Sequence, residues 1–300
     1  QITLDLIAGY IGVPKSDIDF LSAGINHMAW FLKLERDGRN LYPILRERFE
    51  RPEYYINEKV RGEVFRHFGY FMTESTGHLS EYLPYFRKSQ ESKDEYCDEP
   101  AFGGESGAHY KWAKVVTQKY SEGSILDGEP LDFPERSIEY GSHIIEALET
   151  EKTFTFQGNV INRGMIANLP SDCCAEGPMV ADRNGLRQTI VGDLPPQCAA
   201  LNLTNINVQR LAVHAGIQGD TESLVHACAL DPLTSAVLTL REIREMVTEM
   251  LEAERKWLPQ FEGKEVKPTP RINIPKDVRR ADVPVDPALA IAQRFGELMQ

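Results

Sequence analysis

The 300 residues lack the glycine-rich loops that cradle nucleotide phosphates: neither G-x-G-x-x-G nor G-x-x-x-x-G-K-[ST] occurs. H-E-x-x-H is missing too, which removes the common zinc-peptidase helix. Gly104-Glu105-Ser106-Gly107 approaches a nucleophile elbow, but Ala108 stands where the last glycine belongs. Cysteine is sparse: Cys97, Cys173, Cys174, Cys198 and Cys228 make an odd set with no C-x-x-C pair. A disulfide framework is therefore not expected, a zinc ribbon is excluded, and a reducing, cytoplasmic compartment is the expectation. Positive charge is in deficit, with 33 Lys+Arg against 45 Asp+Glu and a net charge of −12. Such a surface repels phosphate backbones, so a nucleic-acid partner is not expected. No run nears the roughly 18 apolar residues of a membrane helix, and no membrane partner is expected. Gln1-Ile2-Thr3-Leu4-Asp5 offers neither an initiator Met nor a signal-peptide pattern, and reads as the start of a piece cut from a longer chain.

Hydrophobic content of 42% and charged content of 26% are those of an ordinary globular chain. At this length one large core or two smaller ones can form without metal or disulfide. Spacing predicts helices over residues 1–12, 41–51, 56–68, 110–120 and 134–149. Residues 19–36 begin with a turn and continue as an apolar strand from His27 to Leu34, closed by the turn Asp37-Gly38. Residues 69–86 are aromatic and mixed, and 87–109 read as a long loop. The period then changes. Strands are expected at 153–156, 159–162, 175–181 and 188–191, with turns at Asn162-Arg163-Gly164 and Arg183-Asn184-Gly185. From Pro195 to Phe261 the chain is helical. Gly219 breaks one helix, and Thr239-Leu240-Arg241-Glu242 caps another. On the latter, Ile243, Met246, Val247, Met250, Leu251, Trp257 and Leu258 mark the buried face. A proline-rich tail covers 262–300, with a short helix over 288–299. The fold class is α+β, with a mixed sheet section flanked by helices.

Two segments hold polar residues where chemistry could sit. Ser22-Ala23-Gly24-Ile25-Asn26-His27-Met28 places Asn26 and His27 at the mouth of an apolar strand. The run from Gly69 to Phe86 mixes Glu74, His78, Tyr82 and Tyr85 with small residues. On spacing alone a packed histidine and core aromatics account for both segments better than a site does.

Taken together, four strings in order resemble the family 4 glycoside hydrolases, most closely their bacterial α-galactosidase branch. They are Ala23-Gly24-Ile25-Asn26-His27-Met28-Ala29, the Gly69-to-Phe86 run, Gly158-Asn159-Val160-Ile161-Asn162-Arg163-Gly164, and Asn168-Leu169-Pro170 with Thr204-Asn205-Ile206-Asn207-Val208-Gln209. The resemblance covers residues 1–261 and implies a C-terminal catalytic domain like that of lactate and malate dehydrogenases. It implies that the family's N-terminal NAD-binding domain, and its metal-ligand cysteine, are absent from this chain.

The activity implied is glycoside cleavage by NAD-dependent oxidation at sugar C3, loss of the C2 proton and elimination of the aglycone. The cofactors implied are NAD and a divalent metal, usually Mn2+. On that pattern His27 is the metal ligand and Tyr82 the catalytic base, with Tyr85 next in register. Asn26, Glu74 and Asn162 are substrate contacts, Glu74 alternatively supporting the ligand from behind, and His109 and Lys111 add positive charge nearby. The residues that bind NAD are unknown from these 300. The partner implied is a small α-galactoside, acted on by a homo-oligomer. An α-galacturonidase or α-glucosidase of the same family, or a non-catalytic fragment serving oligomer assembly, are the alternatives.

Overall fold

The computed structural model describes residues 2–97, 108–122, 136, 139–284 and 286–298. The chain divides between residues 267 and 268 into two compact units. The first opens with α1 (Ile2–Ile11) and a 3-10 turn, Lys15–Asp17. A meander follows: β1 (Asp19–Ile25), β2 (Met28–Arg36) and the short β3 (Arg39–Asn40). Next come α2 (Tyr42–Phe49), α3 (Pro52–Tyr55), α4 (Lys59–Phe68), α5 (Thr76–Tyr82), α6 (Gln90–Tyr96), α7 (Ala108–Ser121) and α8 (Gly141–Glu149). The chain then returns to strand as β4 (Phe154–Ile161), β5 (Cys174–Asp182) and β6 (Gly185–Gln188). Four helices complete the unit: α9 (Pro196–Gln218), α10 (Thr221–Leu230), α11 (Pro232–Val237) and α12 (Leu240–Glu254). The second unit is an extended run and one helix, α13 (Pro287–Leu298).

The fold is α+β. Six strands form one sheet in the order β3-β2-β1-β5-β4, with β6 also on β5. Among the described residues the ladders are antiparallel, and one parallel bridge joins Ile166 to Gly192. Met28, Ala29, Trp30 and Phe31 are consecutive and all buried, because β2 is covered on both faces. Met28 and Trp30 enter one apolar cluster with Ala23 and Ile25, whereas Phe31 and Leu34 enter another with α1, α2 and Phe65. In β5 the pattern is the ordinary alternation: Ala175, Gly177, Met179 and Ala181 point inward, so Glu176 and Pro178 point to the opposite face.

Several expectations need correction. Residues 19–25 form β1 rather than a turn; Leu21/Ser22 carries a bulge in its register with β2. The loop expected over 87–109 contains α6, started by the reciprocal Ser89–Ser92 cap, while residues 98–107, Gly104-Glu105-Ser106-Gly107 among them, lie outside the described part. In α12 the buried stripe is Ile243, Val247 and Leu251; Met250 and Trp257 face solvent, and a 3-10 turn already replaces the helix at Arg255–Trp257.

Candidate functional site

Asn26 and His27 form the two-residue tip joining β1 to β2, between the paired residues Ile25 and Met28. The tip is tight. A Cβ on Gly24 would lie 2.4 Å from the Met28 carbonyl oxygen and 2.6 Å from Ala29 Cα, so only glycine lets the strands approach this closely. His27 takes a left-handed φ of 62°, uncommon for a residue with a side chain, though histidine is among those that adopt it. From behind, the buried Asn202 of α9 holds the hairpin. Its Oδ1 accepts from Trp30 Nε1 at 2.7 Å, and its Nδ2 donates to the Met28 carbonyl at 2.7 Å.

The second part of the site comes from the chain entering α5. Thr73 N–H donates to the Ala29 carbonyl at 2.9 Å and Phe31 N–H to that of Phe71 at 2.8 Å, so residues 71–73 run beside β2. This lays Glu74 against the hairpin tip. Thr76 is tethered by its hydroxyl to Glu58 at 2.7 Å, and Glu58 is itself paired with the buried Arg61 at 2.9 Å. Glu74 therefore sits at the mouth of a helix whose first turn is fixed by a buried ion pair.

His27 Nδ1 lies 2.5 Å from Glu74 Oε2, and His78 Nδ1 lies 3.4 Å from Glu74 Oε1, one helical turn on. Burial pushes the Glu74 carboxyl up, but the Ser75 backbone N–H at 2.7 Å, the Ser75 hydroxyl at 2.9 Å and His27 outweigh it and hold the group below the usual carboxylate range. An ionised carboxylate can only accept, so His27 Nδ1 carries the proton, and in the neutral ring Nε2 keeps its lone pair. Tyr82, at the end of α5, stacks on His27 with ring centroids 5.4 Å apart and planes 13° apart. Burial, followed by the charges of Glu74 and Glu81, pushes its phenol up. Tyr85 is more exposed and lines a separate apolar groove with Phe68, Phe86 and Tyr96.

A cleft of about 630 Å³ opens beside this cluster, within the range of small-ligand sites. Asn26, His27, Glu74 and Glu176 make its polar end; Phe20, Phe31, Tyr140 and Phe156 make its apolar walls. Glu176 is mostly buried, and burial, then the Glu74 charge, push its carboxyl up to about 7 against a hydrogen bond from the Asn26 side chain.

His27, Glu74 and His78 each place a nitrogen or carboxylate oxygen within 4.8 Å of the others. Imidazole and carboxylate are donors that first-row divalent metals accept, so the chemistry of this set fits such an ion. Of the residues anticipated from the sequence, His27, Asn26, Glu74 and Tyr82 are brought together. Asn162 is not. It is wholly buried, its Nδ2 donating to the carbonyls of Ile166, Leu169 and Pro170 and its Oδ1 accepting from Ile166 N–H, so it holds a turn and is not among the cleft residues. The His109 side chain lies outside the described part, and Lys111 is exposed on α7, not among the cleft residues. Sequence reasoning noted His78 without giving it a role and passed over Glu176 and Asn202. The Glu74–His78 spacing of four was visible, and Glu176 is a lone acid between Ala175 and Gly177 in a strand; neither feature marks a site until the fold joins them.

Residues 22–234 match the family model described as the family 4 glycosyl hydrolase C-terminal domain. The chain is 38% identical over 265 residues to an α-galactosidase of Rhizobium meliloti, covering 85% of this chain and 54% of that protein. It is 39% identical over 252 residues to an α-galactosidase of Bacillus subtilis, covering 84% and 58%. A 6-phospho-α-glucosidase from gut microorganisms, solved in complex with NAD and Mn2+, superposes with a TM-score of 0.63 at 20% identity, over 85% of this chain and 59% of that one. The chain thus spans a little over half the length of the curated relatives it matches. By the extent of these matches the chain belongs to family 4 of the glycosyl hydrolases and carries that family's C-terminal domain.

Proposed function

We propose that the protein to which this chain belongs is an α-galactosidase that works by oxidation and elimination, together with an NAD-binding domain that these 300 residues do not supply. The observation that carries this reading is the meeting of His27 and Glu74 at one end of a sugar-sized cleft, with Tyr82 stacked on the His27 ring, in a chain 38% identical to an α-galactosidase. His27 would hold a divalent ion through its free nitrogen. Glu74 fixes the tautomer and aim of that ring, the usual service of a carboxylate behind a metal-binding histidine. Asn26 touches the sugar. Tyr82 takes the proton from sugar C2. When bound, the cofactors would supply hydride transfer and, at His27, Lewis-acid positive charge. That charge opposes the upward push on the phenol from burial, Glu74 and Glu81.

The test is hydrolysis of a chromogenic α-galactoside by the full-length protein with NAD+ and Mn2+. Tyr82→Phe is expected to lose about 10²–10⁴ in rate while still binding the sugar, the ordinary cost of a lost general base. Exchange of the C2 hydrogen with D2O fades with it, and Tyr85→Phe keeps most of both activities. If Tyr82→Phe retains turnover and C2 exchange, the assignment of the base fails. If the full-length wild type cleaves no α-galactoside, the whole reading fails.

A further inference from the structure

The cleft wall made by β4 and β5 has features that the proposed reaction leaves unused. Glu176 reaches it because strand alternation turns that side chain away from Ala175 and Gly177, and its backbone is flanked by Gly24 on β1 and Asn159 on β4. Two residues along β4 from Asn159, on the same face, Gln157 also lines the cleft. The Gln157 backbone carbonyl is occupied by the Tyr140 hydroxyl at 2.7 Å, but its side-chain Oε1 is buried without a hydrogen-bond partner. A buried acceptor left in this state is costly unless a ligand or water completes it. Glu176 is an acceptor as well, and none of the described residues lining the cleft is Arg or Lys. This end of the wall therefore asks for hydrogen-bond donors and offers no Arg or Lys side chain to an anion.

We propose that Glu176 and Gln157 form an acceptor patch that binds hydroxyl donors of a neutral pyranose and turns away sugars bearing a carboxylate or phosphate at the same place. The inference rests on the glycosidase reading and adds the residues that set its substrate class. A hydroxyl can donate to either acceptor. A uronate or phosphate group brings only acceptors and negative charge, to a wall where Glu74 and Glu176 already stand close enough for one to raise the other's carboxyl. Replacing the Glu176 charge by an amide removes the repulsion and keeps an acceptor oxygen in place.

The experiment measures binding of D-galactose and D-galacturonate to the full-length protein by calorimetry at pH 8, with Mn2+ and without NAD+. Wild type is expected to prefer galactose. Glu176→Gln narrows that preference by roughly 10- to 100-fold, the size of one like-charge contact in a partly buried site. Gln157→Leu weakens galactose binding by roughly 5- to 10-fold and leaves galacturonate unchanged. Thermal melts confirm that both variants fold. An unchanged preference in Glu176→Gln, a wild type that prefers galacturonate, or a wild type that binds neither sugar overturns the patch. Sugar binding that shifts as expected in a protein that cleaves no α-galactoside leaves the patch standing and removes the glycosidase reading. Cleavage of α-galactosides with a preference blind to both substitutions does the reverse.

Discussion

Asn202→Ala should be one of the most damaging single changes in the domain, although Asn202 is not among the residues lining the candidate cleft. Its side chain is wholly buried and saturated at both ends, by Trp30 Nε1–H and by the Met28 carbonyl. Alanine leaves that donor and that acceptor unpaired in places water does not reach, since Met28 and Trp30 are themselves 0% exposed. Each orphaned buried group costs about 1–3 kcal/mol, so the pair costs about 2–6 kcal/mol. That is a large fraction of the roughly 5–15 kcal/mol that holds a typical domain. With a denaturant slope of about 3 kcal/mol per molar urea, the midpoint should fall by about 1 M. Tryptophan fluorescence reads the transition well, because Trp112 and Trp257 are each 68% exposed and Trp30 alone is buried. Asn202→Asp should not rescue: it keeps an acceptor for Trp30 but turns a carboxylate toward the Met28 carbonyl. A midpoint within about 0.2 M of wild type for Asn202→Ala would refute the claim that this residue holds the hairpin.

Gly24→Ala drives a methyl into the Met28 carbonyl, and should destabilise the chain by about 1–3 kcal/mol and weaken Mn2+ binding; a urea melt and a metal titration that both match wild type would show that the strands can separate without cost. The pH dependence of stability carries a signature of Glu176. Its folded-state value of about 7 lies above the ordinary 4.5, so between these values the native state binds more protons than the unfolded one. Stability is therefore lost as pH rises through that window, by about 3 kcal/mol in all, and the penalty is complete above pH 7. With metal removed by a chelator, Glu176→Gln should be more stable than wild type at pH 8 and close to it at pH 4.5; an equal difference at the two pH values would show that Glu176 titrates normally.

The helical periods and the turns were legible because they are local. Thr239 and Glu242 announce α12 through a reciprocal cap, and Gly219 ends α9 in the left-handed conformation that glycine adopts without strain. β1 was misread because Ser22-Ala23-Gly24 carries little strand preference; those small residues serve the close approach to β2, a tertiary demand. α6 was missed because Gln90–Tyr96 is polar with no apolar period, and Ser92 is a weak partner in a capping box compared with Glu. Met250 and Trp257 fit the spacing of a buried face, yet the covered stripe is only as wide as Ile243, Val247 and Leu251. At the site, His27 drew notice as a histidine at the mouth of an apolar strand. Its link to Glu74 depends on residues 71–73 lying beside β2, which no local pattern encodes. Glu176 reaches the cleft from 149 positions beyond His27 in sequence, a distance only the sheet order closes.

α9 belongs to two apolar clusters. Cys198, Ala199, Leu201 and Ile206 pack with the hairpin, Ala215 packs with α10 and α12, and none of the residues from 207 to 214 is buried. Cooperative opening follows buried contacts, so the 23-residue rod is a seam between two independently opening regions. Native-state hydrogen exchange should show amides near Ile206 closing with the sheet and those near Ala215 closing with α12, each at its own free energy. The far helices can then loosen, or be remodelled by substitution, while the histidine tip keeps its place.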